Sequence, residues 1–162
     1  MKCLVFSDSH GNNAFMKTAL SMNRDAEVVF FLGDGLSDVE LLAYEDAKRK
    51  WIVVKGNCDF HTCFCGEPVS KTEEIHLEGR KILLTHGDLY NVKYGFDVIK
   101  RYAMKREADI VLFGHTHTKH EEYVNGDKPF YLFNPGSISS NDYSFGILTL
   151  TENSVLFSIG LA

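Results

Sequence analysis

Five short apolar segments of this sequence each end next to glycine and to side chains that can bind a metal ion. The segments are followed by Asp8-Ser9-His10-Gly11, Gly33-Asp34-Gly35, Gly56-Asn57-Cys58-Asp59, His86-Gly87-Asp88 and Gly114-His115-Thr116-His117. If the segments are parallel strands, their carboxyl ends meet along one edge of a sheet, where the ligands of α/β proteins bind. Side chains that lie far apart in the sequence would then share one site.

The pattern yields seven candidate metal ligands, namely two carboxylates, one amide oxygen and four imidazoles. They are Asp8, His10, Asp34, Asn57, His86, His115 and His117. A tetrahedral site for a single zinc ion takes about four protein ligands, so this larger set predicts two divalent ions that share the carboxylate of Asp34. Nitrogen and oxygen ligands without thiolate favour Mn²⁺, Fe²⁺, Zn²⁺, Ni²⁺ or Co²⁺ over Ca²⁺ or Mg²⁺, and we expect Mn²⁺ first among these.

Each motif taken alone also has an ordinary structural interpretation. Asp8 to His10 could end a strand and cap a helix, Gly33-Asp34-Gly35 could be a turn, and Asn57 could adopt a left-handed conformation in a turn. The motif of His115 and His117 is more specific, because in an extended segment both imidazoles point to the same side, which is costly unless something coordinates them. The placement of all the motifs at successive strand ends favours the metal site.

The segments between the motifs predict strands and helices in alternation. Apolar runs at 2–7, 27–32, 51–54, 81–85 and 109–113 predict strands that are buried on both faces. Turn signals at 78–80, 125–127 and 152–153 predict hairpins in the second half, so a two-sheet α/β sandwich fits better than an open doubly wound sheet. Helical spacing relates Phe15, Ala19 and Met22, then Val39, Leu42 and Ala43, and finally Phe96, Ile99 and Ala103, while Ser37 and Glu40 have the spacing of a capping box.

The composition predicts one domain over residues 1–162. The formal net charge of −5 argues against non-specific binding of a nucleic-acid polymer. No apolar run approaches the roughly 20 residues of a membrane span, and the amino terminus lacks the apolar segment of a signal peptide. We therefore expect a cytoplasmic protein with reduced cysteines, and the sequence leaves a homo-oligomer open. A zinc site of Cys58, Cys63 and Cys65 is a weaker alternative, because the set lacks a paired Cys-x-x-Cys.

The series of motifs resembles that of the calcineurin-like metallophosphoesterases, and specifically their small single-domain phosphodiesterase branch. The sequence Asn134-Pro135-Gly136-Ser137 resembles that branch as well, and the resemblance extends from about residue 1 to residue 160. It implies a four-layer α/β/β/α sandwich with two mixed β-sheets. It also implies that one ion is held by Asp8, His10, Asp34 and His117, and the other by Asp34, Asn57, His86 and His115.

The resemblance implies a dinuclear metal-dependent phosphodiesterase, in which a hydroxide that bridges the two ions attacks the phosphorus of a small phosphodiester. A phosphomonoesterase or nucleotide phosphatase is the nearest alternative, and a non-catalytic protein-interaction scaffold of the same fold is another. A nuclease is disfavoured, because the sequence has no basic stripe for a polynucleotide.

Cys58 occupies a position at which many members of the family carry a histidine that can protonate the leaving group. A thiol with a pKa of about 8.5 can also donate a proton at neutral pH, so Cys58 is a candidate catalytic residue. His115 is the other candidate catalytic residue. A thiol lacks the imidazolium charge, so we expect weak catalysis on esters with poor leaving groups; the alternative is a thiol without a role.

Other residues near the motifs have expected supporting roles. Asn12 is the candidate substrate contact, with helix capping as its alternative. Asp59 and Asp88 are expected to support the site rather than to bind metal. Residues 60–70 and 90–102 are the expected pocket walls, because they adjoin the ligand loops.

Overall fold

The computed structural model describes residues 1–140 and 142–162. The strands are β1 (Lys2–Phe6), β2 (Val28–Phe31), β3 (Lys50–Val53), β4 (Cys63–Phe64), β5 (Glu67–Pro68), β6 (Thr72–Leu77), β7 (Arg80–Thr85), β8 (Ile110–Leu112), β9 (Lys119–Val124), β10 (Phe130–Pro135), β11 (Ser144–Leu150) and β12 (Val155–Leu161). The helices are α1 (Ala14–Met22), α2 (Leu36–Glu45) and α3 (Asp97–Arg106), and 3₁₀ turns cover Asp88–Tyr90 and Val92–Tyr94. All the predicted strands are confirmed, and their ends differ from the prediction by one residue at most. None of the helices in the described ranges is long and apolar enough to cross a membrane.

The first large sheet has the strand order β12-β11-β1-β2-β3. Its strands β1, β2 and β3 are parallel, and Phe6 pairs with Phe31, which pairs in turn with Val53. Each of these three residues is the last of its strand, so the three strands end at the same height in the sheet. The loops that carry the first three motifs therefore leave the sheet side by side.

The second large sheet has the strand order β6-β7-β8-β10-β9. Its strands β7, β8 and β10 are parallel, and Leu112 pairs with Leu84 on one side and with Phe133 on the other. The antiparallel pairs β6–β7 and β9–β10, together with β11–β12 of the first sheet, confirm the predicted hairpins. Both sheets are mixed, as predicted.

Three apolar interfaces join four layers of secondary structure. The helices α1 and α2 cover the outer face of the first sheet, where Met16 and Val39 pack with Phe31. The inner faces of the two sheets meet in a second core, which includes Phe30 because side chains alternate along a strand. Helix α3 covers the outer face of the second sheet through Ile99 and its neighbours. The layers confirm the predicted α/β/β/α sandwich, and each fully buried large apolar side chain contributes about 1.5–3 kcal/mol to it.

The buried face of α1 differs from the prediction. Met16, Ala19 and Leu20 are its buried residues, whereas Met22 is 69% exposed. The helix thus packs residues 16, 19 and 20 against the sheet. The predicted set of Phe15, Ala19 and Met22 therefore lies at the edge of this contact.

The predicted capping box at the start of α2 is wrong. The helix begins directly after Gly35, and no side chain of the helix caps it. The carboxylate of Asp59 instead accepts hydrogen bonds from the backbone N–H groups of Gly35 and Leu36, so the first turn is satisfied from a distant loop. Glu40 does not cap the helix and instead accepts a hydrogen bond from the backbone N–H of Cys65 at 2.7 Å.

Candidate metal centre

The loops that follow β1, β2 and β8 have an unusual backbone at the predicted ligands. Of the ten non-glycine residues described with positive φ, five are predicted ligands, with φ between 44° and 69°. They are Asp8, His10, Asp34, His115 and His117. A left-handed conformation costs an ordinary residue about 1–2 kcal/mol, so the surrounding fold holds these loops against their local preference.

The segment 114–118 is not extended, contrary to the prediction. His115 has a φ of 69° and His117 a φ of 57°, so the two imidazoles do not share one side of a strand. His117 Nε2 lies 3.2 Å from Asp8 Oδ1, whereas His115 Nδ1 lies 3.0 Å from His86 Nε2. The two turns send the two histidines to different partners.

Asp8, His10 and His117 form a first cluster, which we call the Asp8 group. The Nε2 atoms of His10 and His117 are 3.1 Å apart, and His10 Nε2 lies 3.7 Å from Asp8 Oδ1. Asp8 has no exposed surface, while both histidines keep about a third of their side chains open to solvent. The group is thus a buried carboxylate beneath two accessible imidazoles.

Asp34, His86 and His115 form a second cluster, which we call the His86 group. His86 Nε2 lies 3.3 Å from Asp34 Oδ2 and 4.0 Å from Asp8 Oδ1, which links the two groups. His86 Nδ1 lies 2.8 Å from the carbonyl oxygen of Leu32. A carbonyl can only accept, so Nδ1 carries the proton and Nε2 turns its lone pair to the site.

Asp34 lies between the two groups. Besides its contacts in the His86 group, its carboxylate lies within 4.8 Å of ligand atoms of His10 and Cys58. The side chain therefore reaches ligand atoms from both sides, which is the placement that a bridging carboxylate needs.

The buried Asp8 is fixed by hydroxyl and backbone donors. Ser7 Oγ donates to Asp8 Oδ2 at 2.6 Å, and the backbone N–H of His115 donates to the same oxygen at 3.2 Å. The hydroxyls of Ser137 and Ser139 donate to the carbonyl oxygen of Asp8 at 2.9 and 2.8 Å. No role was predicted for these two serines, although the position of Ser137 in the Asn134-Pro135-Gly136-Ser137 motif is a signal that could have indicated one.

Cys58 and Asn57 lie beside Asp34 at the exposed end of the site. The backbone N–H of Cys58 donates to Asp34 Oδ1 at 2.8 Å, and the amide of Asn57 donates to Cys58 Sγ at 3.1 Å. Asn57 and Cys58 form a turn, as the alternative interpretation expected, but Asn57 does not have the expected positive φ. The interaction of the Cys58 thiol itself with the Asp34 carboxylate, followed by burial, raises the pKa of that thiol above its ordinary value.

Asn12 makes a contact typical of helix capping. Its Oδ1 accepts a hydrogen bond from the backbone N–H of Ala14 at 3.1 Å, at the first residue of α1. The side chain is exposed in the loop that follows the Asp8 motif. A contact with substrate stays a prediction.

The charges of the site keep its central carboxylate ionised at neutral pH. Burial alone would raise the pKa of Asp34, but its contacts with His86 and Cys58 hold that pKa well below the ordinary value. Burial also opposes the protonation of His86, yet Asp34 and Asp8 raise its pKa. Burial lowers the pKa of His115, whereas contact with the Asp8 carboxylate raises that of His117.

The two groups fit divalent metal ions. Asp8 Oδ1 is buried and makes no hydrogen bond of good geometry within the described part of the chain, although an unsatisfied buried acceptor is costly. Imidazole nitrogens converge in pairs at 3.0 and 3.1 Å beside these carboxylates. Nitrogen and oxygen donors in this combination are what first-row transition metals prefer, and a cation at each group would satisfy both the acceptor and the lone pairs.

Comparison with known proteins assigns the chain to a family. Residues 1–153 match the family model described as the calcineurin-like phosphoesterase superfamily domain. The chain belongs to the calcineurin-like phosphoesterase superfamily. Its membership confirms the resemblance that the five motifs indicate.

Curated proteins of similar length are similar to this chain. The chain is 35% identical over 158 residues to the probable metallophosphoesterase YsnB of Bacillus subtilis, and the aligned region covers 94% of this chain and 86% of that protein. The chain is 25% identical over 161 residues to a phosphodiesterase of Methanocaldococcus jannaschii, and the aligned region covers 93% of this chain and 90% of that protein.

Solved structures of the calcineurin-like phosphoesterase fold match nearly the whole chain. A conserved protein of Streptococcus pneumoniae described as a predicted phosphoesterase has a TM-score of 0.78 at 25% identity, over 99% of this chain and 88% of that one. Vacuolar Protein Sorting 29 of Cryptosporidium parvum has a TM-score of 0.79 at 16% identity, over 99% of this chain and 98% of that one. At 16% identity, the second match shows only that the two chains share a fold.

Proposed function

We propose that this chain is a phosphodiesterase that uses two divalent metal ions, Mn²⁺ in the first place, to hydrolyse a small phosphodiester. The observation that carries the proposal is the position of Asp34, whose carboxylate reaches His10 on one side and His86 with His115 on the other. The names of the relatives, a probable metallophosphoesterase and a phosphodiesterase, support the same class of reaction. A single domain and a cytoplasmic location belong to the same proposal.

Each ion has its own set of ligands in this proposal. One ion would be held by Asp8, His10, Asp34 and His117, and the other by Asp34, Asn57, His86 and His115. When bound, the ions supply positive charge for the phosphoryl oxygens and lower the pKa of the attacking water. The chain as a whole has a net charge of −5, so only the local charge of the site attracts an anionic ester.

The protein fixes its side chains in advance of the reaction. The carbonyl oxygen of Leu32 accepts a hydrogen bond from Nδ1–H of His86. The hydroxyl of Ser7 donates to the Asp8 carboxylate, and the backbone N–H of Cys58 donates to the Asp34 carboxylate. Because these contacts leave each ligand atom facing the site, little reorganisation is needed when the ester binds. His115, which burial keeps neutral at pH 7, contacts the reacting phosphoryl group as well as the second ion.

Cys58 is the acid that protonates the leaving oxygen in this proposal. Asp34 and burial raise the pKa of its thiol, so Sγ keeps its proton at neutral pH. The thiol is exposed, which allows a leaving group to reach it. Asn12 contacts the substrate from the opposite loop, at the start of α1.

The test is hydrolysis of bis(p-nitrophenyl) phosphate and p-nitrophenyl phosphate by the chain loaded with Mn²⁺, Ni²⁺, Co²⁺ or Zn²⁺. We expect faster turnover of the diester and about two bound ions per chain by elemental analysis. Asp34→Asn should lose both metal and turnover, whereas Asp127→Asn, a matched change in an exposed turn, should keep both. Faster turnover of the monoester would favour a phosphomonoesterase. A metal-loaded chain that hydrolyses neither ester would favour a non-catalytic binding role.

A further inference from the structure

A cleft of about 500 Å³ lies beside the loop that carries His115 and His117. Thr116, the residue between these two histidines, lines the cleft, and so do Lys93 and Phe96. Lys93 and Phe96 lie within the segment 90–102, one of the two expected pocket walls. The volume is within the range of about 300–1,000 Å³ that small-molecule sites have.

Lys93 gives the cleft an uncompensated positive charge. Its side chain is exposed and forms no ion pair or hydrogen bond with any other residue that the structure describes. The second lysine of the cleft, Lys119, is paired with Asp142.

Two aromatic rings, tilted by 45° against each other, form part of the lining of the cleft. Phe96 and His120 both line it, and their ring centroids are 4.4 Å apart. Phe96 also packs edge-on against the buried Phe113 at 5.3 Å, and His120 Nε2 lies 3.2 Å from a carboxylate oxygen of Glu122. These contacts hold both rings in place, so an aromatic group could pack on them at a small cost in side-chain entropy.

We propose that this cleft binds the part of the substrate beyond the scissile phosphate, and that this part carries an aromatic ring and a second anionic group. The ring packs on Phe96 and His120, and the anion lies against Lys93. A nucleotide-type diester with an additional terminal phosphate has this chemistry. The inference rests on the proposed phosphodiesterase function and names the substrate class of that site.

The test compares two dinucleotides that differ only in the second anionic group, ApA and its 5′-phosphorylated form pApA, with bis(p-nitrophenyl) phosphate as the reference diester. With Mn²⁺-loaded protein, we expect a lower KM for pApA than for ApA. Lys93→Gln should reduce this preference by about two- to fivefold, the effect of one exposed ion pair. Lys105→Gln, a matched change of an exposed lysine on α3, should leave the preference unchanged. A preference that is absent, or equal in the wild type and Lys93→Gln, would overturn the inference.

A binding experiment separates this inference from the proposed function. The Asp34→Asn chain, which should not cut the ester, is titrated with pApA and followed by the backbone amide resonances in NMR. We expect the resonances of Lys93, Thr116 and Lys119 to shift, with weaker binding when Phe96→Leu is added to a chain that remains folded. If no diester is hydrolysed but these resonances shift, the phosphodiesterase proposal fails and the cleft still binds the nucleotide. If the diesters are hydrolysed and the resonances do not shift, only the cleft proposal fails.

Discussion

The carboxylate of Asp59 holds the backbone of Asp34 in its strained conformation. Asp59 Oδ2 accepts hydrogen bonds from the N–H groups of Asp34 and Gly56 at 2.8 Å, and Oδ1 accepts from Gly35 and Leu36 at 2.8 and 2.9 Å. One side chain therefore connects the loop after β3 to the loop after β2. The placement of the Asp34 carboxylate therefore depends on a residue outside the two groups of candidate ligands.

Asp59→Asn should damage both stability and metal affinity. The amide puts an NH₂ group where one oxygen accepts backbone hydrogen bonds, so buried donors lose their partner at a cost of roughly 1–3 kcal/mol in the free energy of unfolding. The looser Asp34 should bind metal about 10- to 100-fold more weakly. Urea unfolding and metal titration measure the two effects, with Asp127→Asn as the matched control. Wild-type affinity in Asp59→Asn would contradict the role given to this carboxylate.

Gly56→Ala should displace Asp34 directly. A Cβ atom at Gly56 would lie 2.0 Å from Asp34 Oδ1 and 2.6 Å from its backbone nitrogen, neither of which can move without loss of the site geometry. We expect a destabilisation of about 1–3 kcal/mol and loss of bound metal. Gly126→Ala is the control, because a Cβ there meets no atom within 4 Å. Calorimetry and elemental analysis would decide, and a stable Gly56→Ala protein that keeps its metal would refute the steric argument.

Cys58→His should change the order of preferred leaving groups. An imidazolium near Asp34 donates a proton more readily than the thiol, whose pKa is raised, and adds positive charge beside the phosphoryl oxygens. Turnover of an alkyl phosphodiester should therefore rise relative to that of bis(p-nitrophenyl) phosphate, which needs little acid assistance. Cys63→His, at another exposed cysteine, should leave the ratio unchanged. An equal ratio in both variants would show that position 58 is not the proton donor.

Glu74 should contribute a small pH-dependent part of the stability. Its hydrogen bond with Arg106, assisted by Lys81, holds the pKa of its carboxyl below the ordinary value of 4.5. Because the folded state has the lower pKa, this stabilisation is present above pH 4.5 and is lost as the pH falls through the folded pKa. Glu74→Gln should thus unfold at lower urea than the wild type at pH 7, and the difference should vanish in acid. Glu73→Gln, on the neighbouring residue of β6, is the control, and a difference that persists in acid would contradict the argument.

The strands and the candidate ligands could be predicted because both depend on short local patterns. A run of apolar residues that ends in glycine and a polar side chain marks the end of a buried parallel strand, as with Phe6 before Asp8 and Phe113 before His115. Level strand ends then bring distant loops together, whatever their exact conformation. The types of the residues are therefore enough to predict these strand ends, without their φ and ψ angles.

The details that the sequence did not predict depend on contacts between distant segments. Asp59 satisfies the first turn of α2, so the local capping pattern of Ser37 and Glu40 is not used. The left-handed turns at His115 and His117 could not be predicted either, since histidine adopts positive φ more often than most residues but still in a minority of cases. Hydrogen bonds such as that from the His115 backbone to Asp8 maintain these turns, and only the folded chain can form them.

The two groups of ligands span the seam of the sandwich. Asp8 and Asp34 follow strands of the first sheet, whereas His86, His115 and His117 follow strands of the second. An ion can bind all of its ligands only while the sheets remain in register with each other, so its binding free energy becomes part of the folding equilibrium. The melting temperature of this protein should accordingly depend on the metal concentration of the solution: it should rise when metal is added and fall when a chelator removes it.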